Sequence, residues 1–419
     1  MKTNKPKTAI VTIGTEIVIG QITDTNSQWL GQKLFALGFD VQKMVSIPDL
    51  PEIIFKTLDE IKDFDLLIFT GGLGPTDDDI TKQCLCTFYN SKLELNQIVL
   101  DDIREIVQRR NSTVEINQRN RLQAMIPSPG KFFRNKVGTA PGLIFDHRTD
   151  LPVLIALPGV PFEMKWIWEN GVQDFLIETF DPKPQEYIQF FVSGIPESSL
   201  AELLEPWEKS LNPQWQLAYL PSPGIIKLRL FKPSDDLSLF NQRIDELQHI
   251  LGKFLVGQGD LSIEEILVKK LTENHLTLST AESCTGGKIA HQITSIPGAS
   301  NVFKGGIVAY DNMVKIELLG VSPHTLHQFG AVSQEVAEQM AVGVLRRMQS
   351  DLAIATTGIA GPSGGTPEKP VGTVWIAVAT RQTVFSQKYI FTTLRDVNIT
   401  RTSNTALSWL LNLIQSLKI

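Results

Sequence analysis

The chain has 419 residues, of which 42% are hydrophobic and 20% charged, and its formal net charge is -6 at pH 7. The length favours two or three domains, and the composition excludes wholesale disorder. Non-specific binding to DNA or RNA is not expected, because it needs a basic surface. The three cysteines are sparse and lack metal-ligand spacing, which predicts a protein without disulfides. The sequence shows no signal-peptide core and no apolar run of spanning length, so we expect a cytoplasmic protein without a membrane anchor.

The first domain, predicted over residues 1–178, alternates strand and helix patterns. A β-branched run at residues 8–13 and an apolar run at residues 66–70 are typical of buried parallel strands, and each ends in a polar glycine loop. Between them, the polar residues from Asp24 to Ser27 can cap the start of a helix that Gly38 closes. This alternation predicts an α/β fold with a parallel sheet, whose ligand crevice lies at the carboxyl ends of the strands.

The two glycine loops predict a phosphate or pyrophosphate site. Glycines allow a ligand to approach the backbone closely, where exposed N–H groups can bind it. Three consecutive aspartates suit a divalent cation with hard oxygen ligands, although we expect one of them only to cap the next helix. The candidate ligand-binding residues are Gly14, Glu16, Asp24, Asn26, Gly71, Gly72, Gly74 and Thr76, and the candidate metal ligands are Asp77, Asp78 and Asp79.

A proline-rich turn closes this domain. LPGVPFEM at residues 157–164 follows a strand-like run and precedes a helix that carries Trp166 and Trp168. The prolines fix the backbone around the glycine, which is typical of a purely structural turn. Glu163 could nevertheless face the crevice, and it is a candidate for the same site.

The middle of the chain is predicted to be a small α+β module over residues 179–258. DPKPQE at residues 181–186 is polar and proline-rich, which marks a domain edge. Strand patterns at residues 187–192 and 225–231 and a helix pattern at residues 237–251 follow. The module has no polar glycine loop and no cluster of titratable residues. We therefore expect it to space or dimerise the catalytic parts.

The last domain, predicted over residues 259–419, places AESCTGG at residues 281–287 after an apolar strand pattern. A hydroxyl on a strand-to-helix turn points away from the sheet, and the following helix N-terminus offers N–H groups to negative charge. Ser283 is therefore a candidate nucleophile. His275 and His291 flank it at positions typical of helix surfaces, so a lysine of lowered pKa is the more economical base.

Cys284 is the alternative nucleophile. A thiol at a helix N-terminus has a lowered pKa, although a cysteine under such a turn is also typical of a buried packing position. Further along, a strand pattern ends at Tyr310, with Lys315 shortly after it in a helical pattern. A strand from residue 351 then leads into a loop with four glycines, and a second strand begins near residue 373.

These segments resemble a known family. AESCTGG, VAYDNMVK at residues 308–315 and TTGIAGPSGGTPEKPVGTV at residues 356–374 resemble the signatures of the CinA competence/damage-inducible family. TGGLGPTDDD at residues 70–79 and LPGVPFEM resemble its N-terminal half. The resemblance therefore covers both ends of the chain and leaves mainly the middle module without a motif.

The resemblance implies two activities and a homodimer. A molybdopterin-binding-like N-terminal domain would hydrolyse the pyrophosphate of ADP-ribose with a divalent metal (magnesium, manganese or cobalt), with a monovalent cation as an optional addition. A C-terminal amidase, which needs no cofactor, would convert nicotinamide mononucleotide to nicotinate mononucleotide and ammonia. The expected partners are thus small nucleotides, without membrane or nucleic acid.

The resemblance also implies residue roles. Ser283 would be the nucleophile, Lys315 would take its proton and pass it to the leaving ammonia, and Tyr310 would relay or orient. The matching family position and the presence of Lys315 favour Ser283 over Cys284. Many members carry Gly-Asp before Arg395, where this chain has Thr-Leu. Arg395 and the glycine loop would hold the phosphate. Backbone N–H groups of either residues 285–287 or residues 357–361 would stabilise the oxyanion. The predicted substrate-binding residues are Glu282, Thr285, Gly286, Gly287, Thr357, Gly358, Gly361 and Arg395.

Two other classes of function stay open from the sequence. The N-terminal domain could bind a nucleotide or pterin without cleaving it. The whole protein could also be a non-catalytic partner in DNA uptake, but an acidic chain without a basic, aromatic-rich groove gives that reading no support.

Overall fold

The computed structural model describes residues 5–74, 80–110, 116–184, 186–232 and 237–416. They form two compact units, Met1–Gln185 and Glu186–Ile419. Of the predicted middle module, residues 179–184 belong to the first unit, and the part from residue 186 onward belongs to the second. The predicted multidomain α/β class is confirmed. Across the described ranges, no helix is both long enough and apolar enough to span a bilayer.

The first unit alternates strands and helices. Its strands are β1 (Lys7–Ile13), β2 (Asp40–Ile47), β3 (Leu66–Thr70), β4 (Lys92–Leu95), β5 (Met125–Ser128), β6 (Lys131–Phe133), β7 (Gly142–Phe145) and β8 (Val153–Leu157). Its helices are α1 (Thr15–Val18), α2 (Thr25–Leu37), α3 (Pro51–Ile61), α4 (Thr81–Phe88), α5 (Gln97–Arg110), α6 (Gln118–Gln123), α7 (Pro161–Ile167) and α8 (Gln173–Phe180), with a π-helical turn between the last two.

Within residues 5–74, 80–110 and 116–184, the strands form a six-stranded sheet in the order β2-β1-β3-β8-β7-β6 and a separate β4-β5 pair. The strands β2, β1, β3 and β8 are parallel, as predicted. The strands β7 and β6, which were not predicted from the sequence, extend the sheet by antiparallel pairing of β8 with β7 and of β7 with β6, because short loops rather than crossover helices connect these strands. The next two strands of the chain, β2 and β3, pair with opposite sides of β1, an arrangement that leaves a crevice at the carboxyl ends of the strands.

The second unit contains two sheets and their covering helices. Its strands are β9 (Tyr187–Val192), β10 (Gln216–Ser222), β11 (Ile225–Phe231), β12 (Leu255–Gln258), β13 (Leu278–Glu282), β14 (Phe303–Val308), β15 (Leu352–Gly358), β16 (Thr373–Thr380) and β17 (Val384–Ile390). Its helices are α9 (Glu197–Ser210), α10 (Leu237–Leu251), α11 (Ile263–Glu273), α12 (Lys288–Thr294), α13 (Asn312–Leu319), α14 (Pro323–Phe329), α15 (Gln334–Met348) and α16 (Arg395–Ser416).

In residues 186–232 and 237–416, the strands pair as an antiparallel sheet, β10-β11-β9-β12, and a mixed sheet, β14-β13-β15-β16-β17. The strands β14, β13 and β15 are parallel, and β16 and β17 are antiparallel additions. The next two strands of the chain, β14 and β15, lie on opposite sides of β13. The carboxyl end of β13 is therefore a topological switch point, and ligands of α/β sheets bind at such points.

The central strands of the mixed sheet, β13, β15 and β16, are buried on both faces. Ile354 and Ile376 face a cluster that includes residues of α11, α12 and α16, whereas the alternating Ala353 and Ala355 face α15 on the other side. The small alanines allow the backbone of α15 to approach the sheet closely. Because helices cover both faces, the strand ends are the places where this sheet can present polar groups to a ligand.

Candidate active sites

Ser283 follows β13 at the carboxyl edge of the mixed sheet. Its backbone N–H donates to the carbonyl of Thr356 on β15 at 2.9 Å, and the N–H of Ala309, just after β14, donates to the carbonyl of Glu282 at 2.7 Å. These bonds hold three neighbouring strand ends at one level. The structure therefore brings the predicted residues Ser283 and Tyr310 and the glycine loop after β15 to the same edge.

Lys315 is buried, with 1% of its surface exposed, on α13. Its Nζ donates to the carbonyls of Ala309 at 2.8 Å and Tyr310 at 3.2 Å. Burial lowers its pKa, against opposing effects of Asp311 and Cys284. A neutral amine has two N–H groups, which match the two carbonyls, and a lone pair that can accept a proton. This geometry places a base next to the strand end that carries Ser283.

Cys284 lies in the hydrophobic core beneath the turn. It is 6% exposed and belongs to the same apolar cluster as Ile289 and Ile293 of α12. Burial raises the pKa of its thiol to about 12. Because the thiolate is the reactive form, a buried protonated thiol is a poor nucleophile. The burial and the raised pKa of the thiol therefore argue against Cys284 as the nucleophile.

The Glu282 carboxylate is fully engaged with backbone groups. It accepts hydrogen bonds from the N–H groups of Gly287 at 3.1 Å, Ile289 at 3.0 Å and Ala290 at 2.8 Å, at the start of α12. A buried anion at this position satisfies donors that the helix leaves unpaired and interacts favourably with its dipole. The side chain therefore positions the turn that carries Ser283, and its predicted substrate contact stays a prediction.

The same bonds narrow the choice of oxyanion donors. The N–H of Gly286 donates to the carbonyl of Ser283 at 3.2 Å, and that of Gly287 donates to Glu282. In the part of the chain that the structure describes, the N–H groups of Thr285, Ala360 and Gly361 have no hydrogen-bond acceptor. These donors remain available to a tetrahedral oxyanion.

Arg395, at the start of α16, joins two loops of the site. Its Nη2 donates to the phenol oxygen of Tyr310 at 3.0 Å, and its Nη1 donates to the carbonyl of Gly361 at 2.9 Å. Gly361 has a φ of +91°, and a Cβ there would lie 2.6 Å from a methyl of Val371. Only glycine suits this position. The predicted grouping of Arg395, Tyr310 and Gly361 is present in the structure.

Other predicted side chains are used for scaffolding. The hydroxyls of Thr285 and Thr356 are 2.7 Å apart, and the hydroxyl of Thr357 donates to the carbonyl of Ala331 at 2.7 Å. Gly358 lies in β15, close to Val374 of β16. The structure thus gives the side chains of Thr285 and Thr357 internal partners, and these residues shape the loops of the site.

Asn398 is a residue of this region that the sequence did not reveal. Its Nδ2 donates to the carbonyls of Ala360 at 2.9 Å and Thr392 at 2.8 Å, and its Oδ1 accepts from the N–H of Thr392 at 2.9 Å. It lies one turn after Arg395 and fixes the loop that Arg395 contacts. Its partner Ala360 is 38 residues away, so no local pattern points to this role.

The first unit contains a cleft of about 530 Å³ at the carboxyl ends of β1, β3 and β8. Gly71 brings two of these strands together: its N–H donates to the carbonyl of Leu157 at 3.0 Å, and a Cβ would lie 2.1 Å from the carbonyl oxygen of Ile13. The cleft collects all the predicted residues that the structure describes, namely Gly14, Glu16, Asp24, Asn26, Gly71, Gly72, Gly74 and Glu163.

Asn26 presents an unsatisfied oxygen in this cleft. Its Nδ2 donates to the hydroxyl of Thr70 at 3.1 Å and to the carbonyl of Gly159 at 2.8 Å, which fixes the amide. Its Oδ1 is buried, and none of the residues that the structure describes donates a hydrogen bond to it. A buried acceptor without a partner is costly, and such groups are found at ligand sites.

Three of the described carboxylates that line the cleft, Asp24, Asp49 and Glu163, accept hydrogen bonds from protein groups. Asp24 caps α2 by accepting from the N–H of Ser27 at 2.9 Å; burial raises its pKa, but hydrogen bonds to Ser27, Thr12 and Ser46 outweigh that and lower it. Glu163 accepts from Nδ2 of Asn135 at 2.7 Å. Asp49, which the sequence did not reveal, accepts from the N–H of Thr15 at 2.9 Å.

The described residues do not complete a metal site. Among them, no group of three histidine, cysteine, aspartate or glutamate side chains could hold an ion. The predicted ligands Asp77, Asp78 and Asp79, together with Thr76, lie outside the described residues.

Two family models match the chain, one in each half. A family model described as "CinA C-terminal domain" matches residues 260–414, and one described as "Probable molybdopterin binding domain" matches residues 9–178. A CinA-like protein of Flavobacterium psychrophilum is 44% identical over 407 residues, which cover 96% of this chain and 97% of the relative. A CinA-like protein of Cytophaga hutchinsonii is 41% identical over 399 residues, with 94% of both chains covered.

Among solved structures, the competence/damage inducible protein CihA of Agrobacterium tumefaciens is 44% identical to the matching segment. The match covers 36% of this chain and 94% of that chain, with a TM-score of 0.35.

Proposed function

The chain belongs to the CinA family, with a molybdopterin-binding-like N-terminal domain, and from this premise we propose that its second unit is a nicotinamide-nucleotide amidase. The reaction converts nicotinamide mononucleotide and water to nicotinate mononucleotide and ammonia. The observation that carries the proposal is the buried amine of Lys315, which is bound to the carbonyl of Ala309 beside the strand end of Ser283.

The proposed chemistry uses one hydroxyl and one amine. Neutral Lys315 takes the proton of the Ser283 hydroxyl as its Oγ attacks the carboxamide carbon. The resulting oxyanion accepts from the free N–H group of Thr285 or from those of Ala360 and Gly361. The C–N bond then breaks, Lys315 returns the proton to the leaving nitrogen, and ammonia departs. Water, deprotonated by the same amine, cleaves the ester and releases nicotinate mononucleotide and free Ser283.

Arg395 suits the phosphate of the mononucleotide. A guanidinium has five N–H donors, and the structure uses one to Tyr310 and one to Gly361. The remaining donors can bind two phosphate oxygens at once. Tyr310 is 63% exposed, so its ring is accessible to a substrate that approaches the strand ends.

For the first unit, we propose hydrolysis of ADP-ribose to AMP and ribose 5-phosphate. The glycine-lined cleft and the unsatisfied Oδ1 of Asn26 support a polar ligand there. The metal requirement rests on the sequence: Asp77, Asp78 and Asp79 would hold magnesium, manganese or cobalt. A divalent cation there would neutralise charge on the pyrophosphate.

Separate assays of the purified protein test both activities. Nicotinamide mononucleotide should yield ammonia and nicotinate mononucleotide, and ADP-ribose with a divalent metal should yield AMP. Absence of ammonia would contradict the amidase proposal. Binding of ADP-ribose without release of AMP would identify the first unit as a binding domain. Sedimentation of the same preparation tests the homodimer that the family resemblance implies.

A further inference from the structure

The second unit contains another cleft, of about 760 Å³. One wall of the cleft comes from the ends of β9, β10 and β11 of the antiparallel sheet. The other wall comes from β17 of the mixed sheet and from helix α16. Small-molecule sites typically measure ~300–1,000 Å³. Ser283, Lys315 and Arg395 are not among its lining residues. The cleft is therefore a separate place at which the second unit can bind a ligand.

The cleft carries excess positive charge. Arg401 and Lys253 line it, and in the described ranges neither makes an ion pair with a carboxylate. The guanidinium of Arg401 lies 5.2 Å from the ring centre of Phe391, and the ammonium of Lys253 lies 5.2 Å from that of Phe254. Glu197 is the acidic residue of the described lining, and it is exposed. Cations without a carboxylate partner favour an anionic ligand.

Aromatic and polar side chains line the same space. The rings of Tyr389 and Phe391 stack with centroids 5.4 Å apart and planes 23° apart. Trp409 also lines the cleft. A planar ring of a ligand gains from stacking on such side chains. The helix α16 adds a polar stripe at the helical spacing of its lining residues Arg401, Thr405, Ser408 and Asn412.

Hydrogen bonds fix the walls of the cleft. The Nδ2 of Asn404 on α16 donates to the carbonyl of Pro223 at 2.8 Å, and the hydroxyl of Ser193 donates to the carbonyl of Gly224 at 2.9 Å. The turn between β10 and β11 packs so closely on α16 that a Cβ at Gly224 would lie 3.0 Å from the carbonyl oxygen of Arg401. The space is therefore largely pre-formed, which lowers the cost of binding.

We propose that this cleft binds an anion of nucleotide size that carries an aromatic ring. The anionic group contacts Arg401 and Lys253, and the ring stacks on the aromatic side chains that line the cleft. AMP is a suitable probe because adenosine supplies the same ring without the charge, and inorganic phosphate supplies the charge without the ring.

Fluorine NMR of the full-length protein labelled with 5-fluorotryptophan gives a local readout. The chain has seven tryptophans, and loss of one signal in Trp409→Phe assigns the resonance of Trp409. AMP should shift this resonance saturably, with an affinity at least about tenfold higher than that of adenosine or phosphate. Absence of a saturable shift with millimolar AMP would overturn the proposal, as would an equal response to phosphate alone.

Two variants and one control test the cations. Arg401→Gln should weaken the AMP response of Trp409 at least about tenfold, and the unchanged signals of the other tryptophans report that it is folded. Lys253→Gln, at an exposed position, should weaken it several-fold. Arg347→Gln removes an exposed cation outside the cleft and should leave the affinity unchanged. If both Arg401→Gln and Lys253→Gln bound AMP as tightly as the unmodified protein, the proposal would be contradicted.

Discussion

Arg395 donates a hydrogen bond from Nη2 to the phenol oxygen of Tyr310 at 3.0 Å. The two residues lie 85 positions apart, on α16 and on the segment after β14. The same guanidinium binds the carbonyl of Gly361, so one side chain connects both loops around the strand end of Ser283. This arrangement explains how loops from distant parts of the sequence can form one substrate site.

Replacement of Arg395 should separate phosphate recognition from chemistry. In Arg395→Ala, we expect KM for nicotinamide mononucleotide to rise about 10- to 100-fold, because charge-assisted hydrogen bonds to the phosphate are lost. Nicotinamide riboside, which lacks the phosphate, should be affected much less. Steady-state kinetics with both substrates measure the difference. An equal loss on both would indicate that Arg395 acts only through Tyr310 and Gly361.

The pH dependence of the amidase should report Lys315. Burial lowers the pKa of Lys315 below its ordinary value of 10.5, and the residue accepts a proton only in its neutral form. Activity should therefore rise with pH through this lowered pKa and fall as the pH drops below it. Lys315→Arg stays charged and should lose about 10²- to 10⁴-fold in kcat. Retained activity with the same pH profile in this variant would exclude Lys315 as the base.

Cys284 should be dispensable for catalysis. Its thiol is buried in the core and has a raised pKa, so kcat of Cys284→Ala should stay within a few-fold of the original value. The free energy of unfolding should fall by about 1 kcal/mol, because a buried sulfur atom is lost from the core. Ammonia release and chemical denaturation measure the two effects. Loss of the amidase activity from a folded Cys284→Ala protein would favour a thiol nucleophile.

The Glu282 carboxylate should contribute to both stability and geometry. In Glu282→Gln, an amide replaces a carboxylate that accepts three backbone N–H groups, and we expect the free energy of unfolding to fall by about 3 kcal/mol. The value of kcat should fall as well, because the turn of Ser283 loosens. Chemical denaturation measures the first effect. The exposed Glu317→Gln is a matched control that should change stability by less than about 0.5 kcal/mol; equal stabilities of the two variants would contradict the positioning role.

Removal of divalent metal should separate the two activities. Treatment with EDTA should abolish AMP release from ADP-ribose, because the pyrophosphate loses its cation, and should leave ammonia release unchanged. Addition of magnesium, manganese or cobalt should restore the first activity. Cleavage of ADP-ribose that persists in EDTA would contradict a role for Asp77, Asp78 and Asp79 in metal binding.

Local sequence signals predicted much of the fold. The N-terminal cap of α2 was predicted within residues 24–27 and its end at Gly38. The structure shows Asp24 accepting from the N–H of Ser27, and Gly38 has a φ of +95°. The predicted strand at residues 66–70 is β3. By contrast, β6 and β7 are three and four residues long, too short for a periodic pattern to stand out. Their antiparallel pairing was therefore not predicted.

The site could be predicted only where chemistry is visible in a short segment. Ser283 lies in a recognisable strand-to-helix motif. The roles of Asn398 and Asp49 depend on partners that are distant in the sequence, at Ala360 and Thr15, so no pattern indicates them. The engagement of Glu282 with helix α12 also required coordinates, because a carboxylate before a nucleophile is equally compatible with substrate binding.

The initial rate of ammonia release from nicotinamide mononucleotide by Ser283→Ala tests the central claim most directly. Hydrolysis of ADP-ribose by the same preparation serves as the internal control for a folded protein. The account predicts a loss of at least about 10³-fold in ammonia release with unchanged AMP release. Amidase activity comparable to that of the unmodified protein would show that another group attacks the carboxamide.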